Sequence, residues 1–254
     1  MTISHQRLDK FISKNTDFNR KSVKILVAQK RISIDGELAM DVDVIVHKFS
    51  QVFLDDKPLQ ANTPVYIMLH KPVGIISSTK GGNVNEQLRK ENPNDLQEYQ
   101  TVIDILERED KHELHYAGRL DLNTSGLMLL TNDSRWSKKL SSPLFDVEKK
   151  YIVTLANKLT PDYVDAFAQG VYFRKEDIVT KPAKLKILSA YQAEVILTEG
   201  KNHQIKRMFG KFDNPVVALH RSSIGNLQLE TSLNVGESRD LTELEVTNIY
   251  KPNL

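Results

Sequence analysis

One carboxylate in this sequence stands where it could act on a bound molecule. Asp121 lies in a polar loop that begins at Gly118 and leads into the run 127–131, which predicts a buried strand. Side chains on loops anchored to strands are often catalytic, because the strand fixes their position. Such a carboxylate can attack an electrophilic carbon or accept a proton. Alternatively, Asp121 caps its own turn by accepting hydrogen bonds toward Asn123 or Thr124.

A group of cations could serve that carboxylate. Lys206 and Arg207 are adjacent in a predicted helix over 203–211, where they point about 100° apart, so only one of them can face a given carboxylate. Such a cation would keep the carboxylate charged when water is excluded. The alternative is a solvated basic surface formed by Lys201, Lys206, Arg207 and Lys211.

The loop is part of a longer pattern. Its form, GRLDxxTxGLxxxTND, resembles the central motif of RNA pseudouridine synthases, and its flanks resemble the branch that acts on small-subunit ribosomal RNA. Two positions depart from the family pattern: Ser134 replaces a common glycine, and His70 replaces a frequent asparagine. The other matching segments follow in order along nearly the whole chain: RLDKFI (7–12), DG (35–36), MLHKPVGIISS (68–78), WSKKLSSP (136–143), EKKY (148–151), VTKP (179–182), EGKNHQIKRMF (199–209) and LHRSSIG (219–225).

The resemblance implies an isomerase that detaches uracil from its ribose, turns it, and joins its C5 to the same ribose carbon. Asp121 is implied as the catalytic carboxylate, either attacking C1′ or removing the C2′ proton. Lys206 is implied as its basic partner. Tyr151 would stack on the uracil and help to remove the C5 proton, and Arg119 would help to displace the target nucleotide. The reaction needs no redox change and no added group, so no cofactor and no metal are expected.

Charge is unevenly distributed along the chain. The net formal charge is only +2, but residues 1–31 carry eight basic and two acidic residues, whereas residues 32–60 carry two basic and six acidic ones. A clustered basic face is typical of RNA binding, although it can also be a solvated surface. The residues expected to contact RNA are Arg7, Lys10, Arg20, Lys21, Lys24, Lys30, Arg31, Lys71, Arg119, Lys201, His203 and Arg207.

Hydrophobic periodicity predicts an α+β protein with two domains. Two amphipathic helices and an Asp35-Gly36 hairpin over residues 1–61 resemble an RNA-binding module first known from a small-subunit ribosomal protein. A polar tether is predicted over 59–64, and residues 62–254 would form the catalytic domain on a mixed, mostly antiparallel sheet. Its predicted strands are 65–69, 74–77, 127–131, 151–155, 184–187, 194–198, 216–220 and 227–229, and its helices include 135–140, 203–211 and 240–250.

Composition limits the remaining choices. The chain has no cysteine, so it has no disulfide and no thiolate nucleophile, and it has no apolar run long enough to cross a membrane. We therefore expect a cytoplasmic protein. The resemblance implies that its partner is ribosomal RNA, specifically 16S RNA in a partly assembled small subunit, and we expect the protein to be a monomer. Three alternatives stay open: the same reaction on 23S RNA, a catalytically silent RNA-binding assembly factor, and a glycosidase that uses Asp121 and Glu148.

Overall fold

The computed structural model describes residues 5–79 and 98–250. The chain forms two compact units, Met1–Pro64 and Val65–Leu254. Within the described ranges, no helix is long and apolar enough to span a membrane.

The first unit packs two helices on short strands. Helix α1 spans Leu8–Asn15 and α2 spans Arg20–Ala28. The Asn19 side chain accepts hydrogen bonds from the Lys21 and Ser22 amides, which makes it the N-terminal cap of α2. The helical period brings the apolar residues to one inner face, where the buried side chains are Leu8, Phe11, Ile12, Val23 and Leu26.

A four-stranded antiparallel sheet completes this unit, in the order β3-β2-β5-β6, and β1 pairs with β4. Asp35 and Gly36 both have positive φ angles, 53° and 89°, as a two-residue hairpin turn requires. The tether prediction is wrong at its start, because Leu59 packs on the core and Gln60 bonds to the backbone of His47 and Ser50. The strands are β1 (Gln6–Arg7), β2 (Ile32–Ile34), β3 (Glu37–Leu38), β4 (Ile45–Val46), β5 (Val52–Leu54) and β6 (Lys57–Gln60).

The second unit is built on a large mixed sheet in the order β13-β14-β10-β15-β9-β7-β17, with β16 beside β15 and β8 beside β9. Among the described strands of this sheet, the β15–β9 pair alone is parallel, so the expected mostly antiparallel α+β fold is confirmed. Its strands are β7 (Tyr66–Lys71), β8 (His115–Tyr116), β9 (Ser125–Thr131), β10 (Lys149–Leu155), the separate hairpin β11 (Tyr172–Phe173) and β12 (Ile178–Val179), β13 (Lys184–Ser189), β14 (Gln192–Leu197), β15 (Val216–Ile224), β16 (Leu227–Gln228) and β17 (Ser238–Asp240).

Strand β9 is buried on both faces. Leu127 and Leu129 point into one apolar cluster, and Met128 and Leu130 point into another. Alternate side chains of a strand face opposite ways, so a continuous apolar run is stable only when both faces are covered. This burial is why the sequence shows no polar face here.

The helices of the unit are α3 (Ser134–Ser141), α4 (Asp162–Gln169), α5 (Gln204–Gly210) and α6 (Glu243–Asn248).

Two predicted elements differ from the structure. Residues 74–77 form a loop with an isolated bridge from Ile76 to Thr101, not a strand. The predicted helix 240–250 is shortened to Glu243–Asn248 because Thr242 and Glu245 form a capping box that starts it late. Ser238–Asp240 instead pairs with β7 at the edge of the sheet. The unexpected Ser134 is accommodated as the first residue of α3, which Asp133 caps.

Candidate active site

Asp121 opens a tight turn that leads into β9. The Thr124 amide donates to the Asp121 carbonyl at 3.1 Å, and the turn is therefore closed by backbone. The carboxylate itself faces one cation and one imidazole: its oxygens lie 4.0 Å from Lys206 Nζ and 3.6 Å from His203 Nε2. This geometry disfavours the turn-capping alternative and leaves the carboxylate, 31% exposed, available to a ligand.

A buried lysine holds this turn in place. Lys71 is 0% exposed, and its ammonium donates to the carbonyl oxygens of Pro72 at 2.9 Å, Asp121 at 3.3 Å and Thr124 at 2.9 Å. Burial lowers the pKa of Lys71 to about 8, against the opposing influence of Asp121. The prediction that Lys71 contacts the RNA backbone is wrong, because this side chain lies inside the protein and all its donors point to the loop.

Two further side chains clamp the same loop. Ser77 Oγ donates to the Leu120 carbonyl at 2.6 Å and accepts from the Leu120 amide at 3.1 Å. Arg221 on β15 donates through Nε to the Leu127 carbonyl at 2.8 Å and through Nη1 to the Arg119 carbonyl at 3.3 Å. Sequence reasoning missed both roles. Their signal was present only as the MLHKPVGIISS and LHRSSIG motifs, to which no individual function was attached.

Close contact between strands explains one glycine of the loop. Gly126 has a φ angle of 110°, and a Cβ placed there would lie 2.3 Å from the Arg221 carbonyl oxygen. Strand β9 therefore approaches β15 so closely that a side chain at residue 126 has no room. Gly118 also has a positive φ angle, 97°, but a Cβ there would meet nothing within 4 Å.

The structure separates the two adjacent cations of α5. Lys206 faces Asp121, as the resemblance implied. Arg207 points elsewhere: its guanidinium binds the Glu176 carboxylate at 2.9 Å and stacks over the Phe173 ring at 3.6 Å from the centroid. The expected phosphate contact of Arg207 is disfavoured, because its charge is already paired and it does not line the cleft.

Tyr151 lies on β10, directly opposite Arg221 on one neighbouring strand and Val195 on the other. Its half-buried ring packs against two apolar clusters and borders the same cleft as Asp121. A ring at this place offers a flat surface to a planar base.

These side chains line a cleft of about 810 Å³ in the second unit. Such a volume suits a small ligand or a single extruded nucleotide. The cleft brings together six of the predicted site residues, Arg119, Asp121, Tyr151, Lys201, His203 and Lys206. Two others, Lys71 and Arg207, do not line it.

The remaining predicted RNA contacts belong to the first unit. Arg7 pairs with Asp9 at 3.3 Å, and Arg31 pairs with Asp55 at 2.7 Å through Nε. The other five are exposed and have no carboxylate partner within the described ranges: Lys10, Arg20, Lys21, Lys24 and Lys30.

Comparison with known proteins identifies the class of protein to which this chain belongs. A family profile described as RNA pseudouridylate synthase matches residues 65–211, more than half of the chain. The protein therefore belongs to the RNA pseudouridylate synthase family.

Its relatives narrow the resemblance. The ribosomal small subunit pseudouridine synthase A of Pseudomonas aeruginosa is 39% identical over 244 residues, which cover 96% of this chain and 100% of the relative. The protein of the same name from Escherichia coli K12 is 36% identical and covers 96% of this chain and 99% of its own. A crystal structure of a pseudouridylate synthase has a TM-score of 0.66 at 36% identity and covers 96% of this chain and 99% of that one.

Proposed function

We propose that this protein isomerises a uridine of small-subunit ribosomal RNA to pseudouridine, with Asp121 as the catalytic carboxylate. The observation that carries the proposal is the contact of Asp121 with Lys206 on a clamped turn inside a cleft. Full-length similarity to relatives named ribosomal small subunit pseudouridine synthase A supports the choice of RNA.

The chemistry requires little besides positioning and charge. The bond between uracil N1 and ribose C1′ breaks, a bond from C5 to C1′ forms, and the proton on C5 is lost while N1 gains one, so atoms and electrons balance. Asp121 acts on the ribose, at C1′ as a nucleophile or at the C2′ proton as a base. When RNA covers the cleft and excludes water, Lys206 supplies the positive charge that replaces the lost solvation of the carboxylate, and His203 lies beside it.

Two other side chains serve the base and the RNA. The Tyr151 ring provides the stacking surface for the detached uracil, and its hydroxyl assists removal of the C5 proton. Arg119 sits beside Asp121 at the cleft and helps to hold the target nucleotide out of the RNA fold, which costs a few kcal/mol. The exposed lysines and arginines of the first unit add sequence-independent attraction to phosphates.

The test is an Asp121→Asn variant. We expect it to form no pseudouridine and to keep an RNA affinity within about tenfold of the wild type, roughly 1.4 kcal/mol. Product is measured on isolated 16S RNA and on partly assembled small-subunit particles, and binding by filter retention or anisotropy. Substantial residual turnover would refute the role of Asp121, whereas an inactive wild type with tight binding would favour the silent assembly factor.

The substrate RNA is tested by mapping. Ribosomal RNA from cells that lack the protein should miss one pseudouridine in 16S RNA, and loss confined to 23S RNA would overturn the choice of subunit. Assay of naked 16S RNA against partly assembled particles tests the proposed substrate state, and sedimentation tests the proposed monomer.

The glycosidase alternative is disfavoured because Glu148 pairs with Lys184 at 2.8 Å and does not line the cleft.

A further inference from the structure

Two positive charges in the cleft are not neutralised by the protein. Lys149, on β10, lines the cleft two residues before Tyr151, and it has no carboxylate within 4.0 Å among the described residues. Arg221 lines the same cleft and is only 3% exposed. Its Nε and Nη1 bind carbonyls, but its buried Nη2 has no hydrogen-bond partner within the described ranges.

The carboxylates of the cleft are already occupied. Asp121 faces Lys206 and His203, and Glu199 accepts from the Gln204 amide group at 2.9 Å and lies 3.7 Å from Lys201. Asp146 attracts Lys149 electrostatically but forms its ion pair with Lys181 at 2.7 Å. No described acidic side chain is therefore left to match Lys149 and Arg221.

The two charges also oppose each other. Burial is the main cause that lowers the pKa of Lys149 to about 8, and the nearby Arg221 lowers it further. A protein gains no stability from holding two like charges in a partly dry place. Such an arrangement is typical of a site whose missing charge arrives with the ligand.

We propose that Lys149 and Arg221 form a phosphate subsite at the floor of the cleft, which receives a phosphodiester group next to the target ribose. The inference rests on the proposed function, since it assumes that a nucleotide enters the cleft. A ribose held at Asp121 brings its covalently attached phosphates with it, and these are the anions that must enter. Lys149 donates to a phosphate oxygen, and Arg221 adds its charge from the buried side.

The chain provides a matched control for Lys149. Lys150 follows it on the same strand, points to the opposite face, and pairs with Glu194 at 3.5 Å. Replacing either lysine with methionine removes one positive charge from the same strand. The two substitutions therefore differ in whether the charge faces the cleft.

The test measures binding of uridine, uridine 5′-monophosphate, uridine 3′-monophosphate and inorganic phosphate to the full chain by NMR titration. We expect at least one monophosphate to bind about tenfold more tightly than uridine. Lys149→Met should abolish that difference, and Lys150→Met should keep it. The monophosphate that binds more tightly shows whether the subsite holds the phosphate on the 5′ or on the 3′ side of the target ribose. Inorganic phosphate that binds as tightly as both monophosphates would overturn the link to a nucleotide.

A second readout separates binding from structure. Lys149→Met should raise the melting temperature of the free protein, because it removes an unmatched charge, whereas a lysine needed for folding would lower it. Monophosphates that bind no more tightly than uridine, or that keep their advantage in Lys149→Met, overturn the inference. Failure of the proposed function would appear separately, as a wild type that forms no pseudouridine in ribosomal RNA.

Discussion

The buried ammonium of Lys71 gives the sharpest test of how the catalytic turn is held. Lys71→Met keeps the approximate length of the side chain but removes the donors to Pro72, Asp121 and Thr124. The Asp121 carbonyl keeps the Thr124 amide as a donor, but the Pro72 and Thr124 carbonyls lose the Lys71 ammonium, at a cost of about 1–3 kcal/mol each. Removing the buried charge returns about 3 kcal/mol, since the pKa falls from 10.5 to about 8 and each pKa unit is worth about 1.36 kcal/mol. The net loss of stability is about 1 kcal/mol.

The kinetic consequence should be larger than the loss of stability. A freed turn lets the Asp121 carboxylate move, and a displacement of about 1 Å can lower kcat about 100-fold. The KM for RNA and the salt dependence of binding should not change, because Lys71 is inside the protein. An RNA contact would behave differently, since its removal lowers the slope of log K against log salt by about 1. A variant with full kcat, or with a reduced salt slope, would refute the clamp.

The pH dependence of stability tests the same lysine independently. Between pH 8 and 10.5 the unfolded chain holds a proton on Lys71 that the folded chain has released. Stability therefore rises with pH in this window, by an amount absent from Lys71→Met. The difference in unfolding free energy between wild type and variant, measured by denaturant titration from pH 7.5 to 10, should increase with pH. The comparison cancels the similar titration of Lys149, and parallel pH curves for the two proteins would contradict the pKa shift.

Three further predictions follow from the site and the two units. Gly126→Ala should lower the melting temperature strongly or prevent folding, because the added Cβ collides with the Arg221 backbone. Gly118→Ala should cost only about 1 kcal/mol of stability, because its Cβ meets nothing and only the positive φ angle is unfavourable. Thermal unfolding of both variants compares these two costs. Lys206→Met should lower kcat at least 100-fold with little loss of stability, because this lysine faces Asp121. Arg207→Met should lower stability by about 1–2 kcal/mol and largely keep kcat, because this arginine binds Glu176 and Phe173. The reverse result would contradict the orientation of α5. Deletion of residues 1–64 should weaken RNA binding and flatten its salt dependence, and an unchanged slope would mean that the basic helix face is only solvated.

Local patterns in the sequence predicted the elements whose signal is local. Strand β9 was recognisable because burial on both faces removes every polar position from Leu127 to Leu130. The Asp35-Gly36 turn was recognisable because few residues adopt two successive positive φ angles. Residues 74–77 were apolar enough to suggest a strand. In the structure the Gly74 amide instead donates to the carbonyl of Leu122, a partner distant in sequence that local patterns could not indicate.

The sequence indicated the side chains proposed to react, but not the side chains that hold the Asp121 loop in place. The helical period showed that Lys206 and Arg207 could not both face Asp121. The family motif pointed to Lys206, whose ammonium lies 4.0 Å from the Asp121 carboxylate. Lys71 was misjudged because lysine is rarely buried, and its burial depends on three carbonyls that converge only in the folded loop. Arg221 was missed because it contacts a carbonyl 94 residues away, a distance over which periodicity carries no information.

The parallel pairing of β15 with β9 has a consequence for the newly made chain. Ser125 and Gly126 pair with His220 and Arg221, so the turn that carries Asp121 is completed by a strand made much later. Contacts between distant residues form slowly, and synthesis releases the N-terminal part first. A nascent or C-terminally truncated chain that lacks β15 therefore has Asp121 and the Lys71 and Ser77 contacts, but lacks the strand pairing and the Arg221 bonds that complete the support of the turn. The protein becomes able to modify RNA only after β15 has been made.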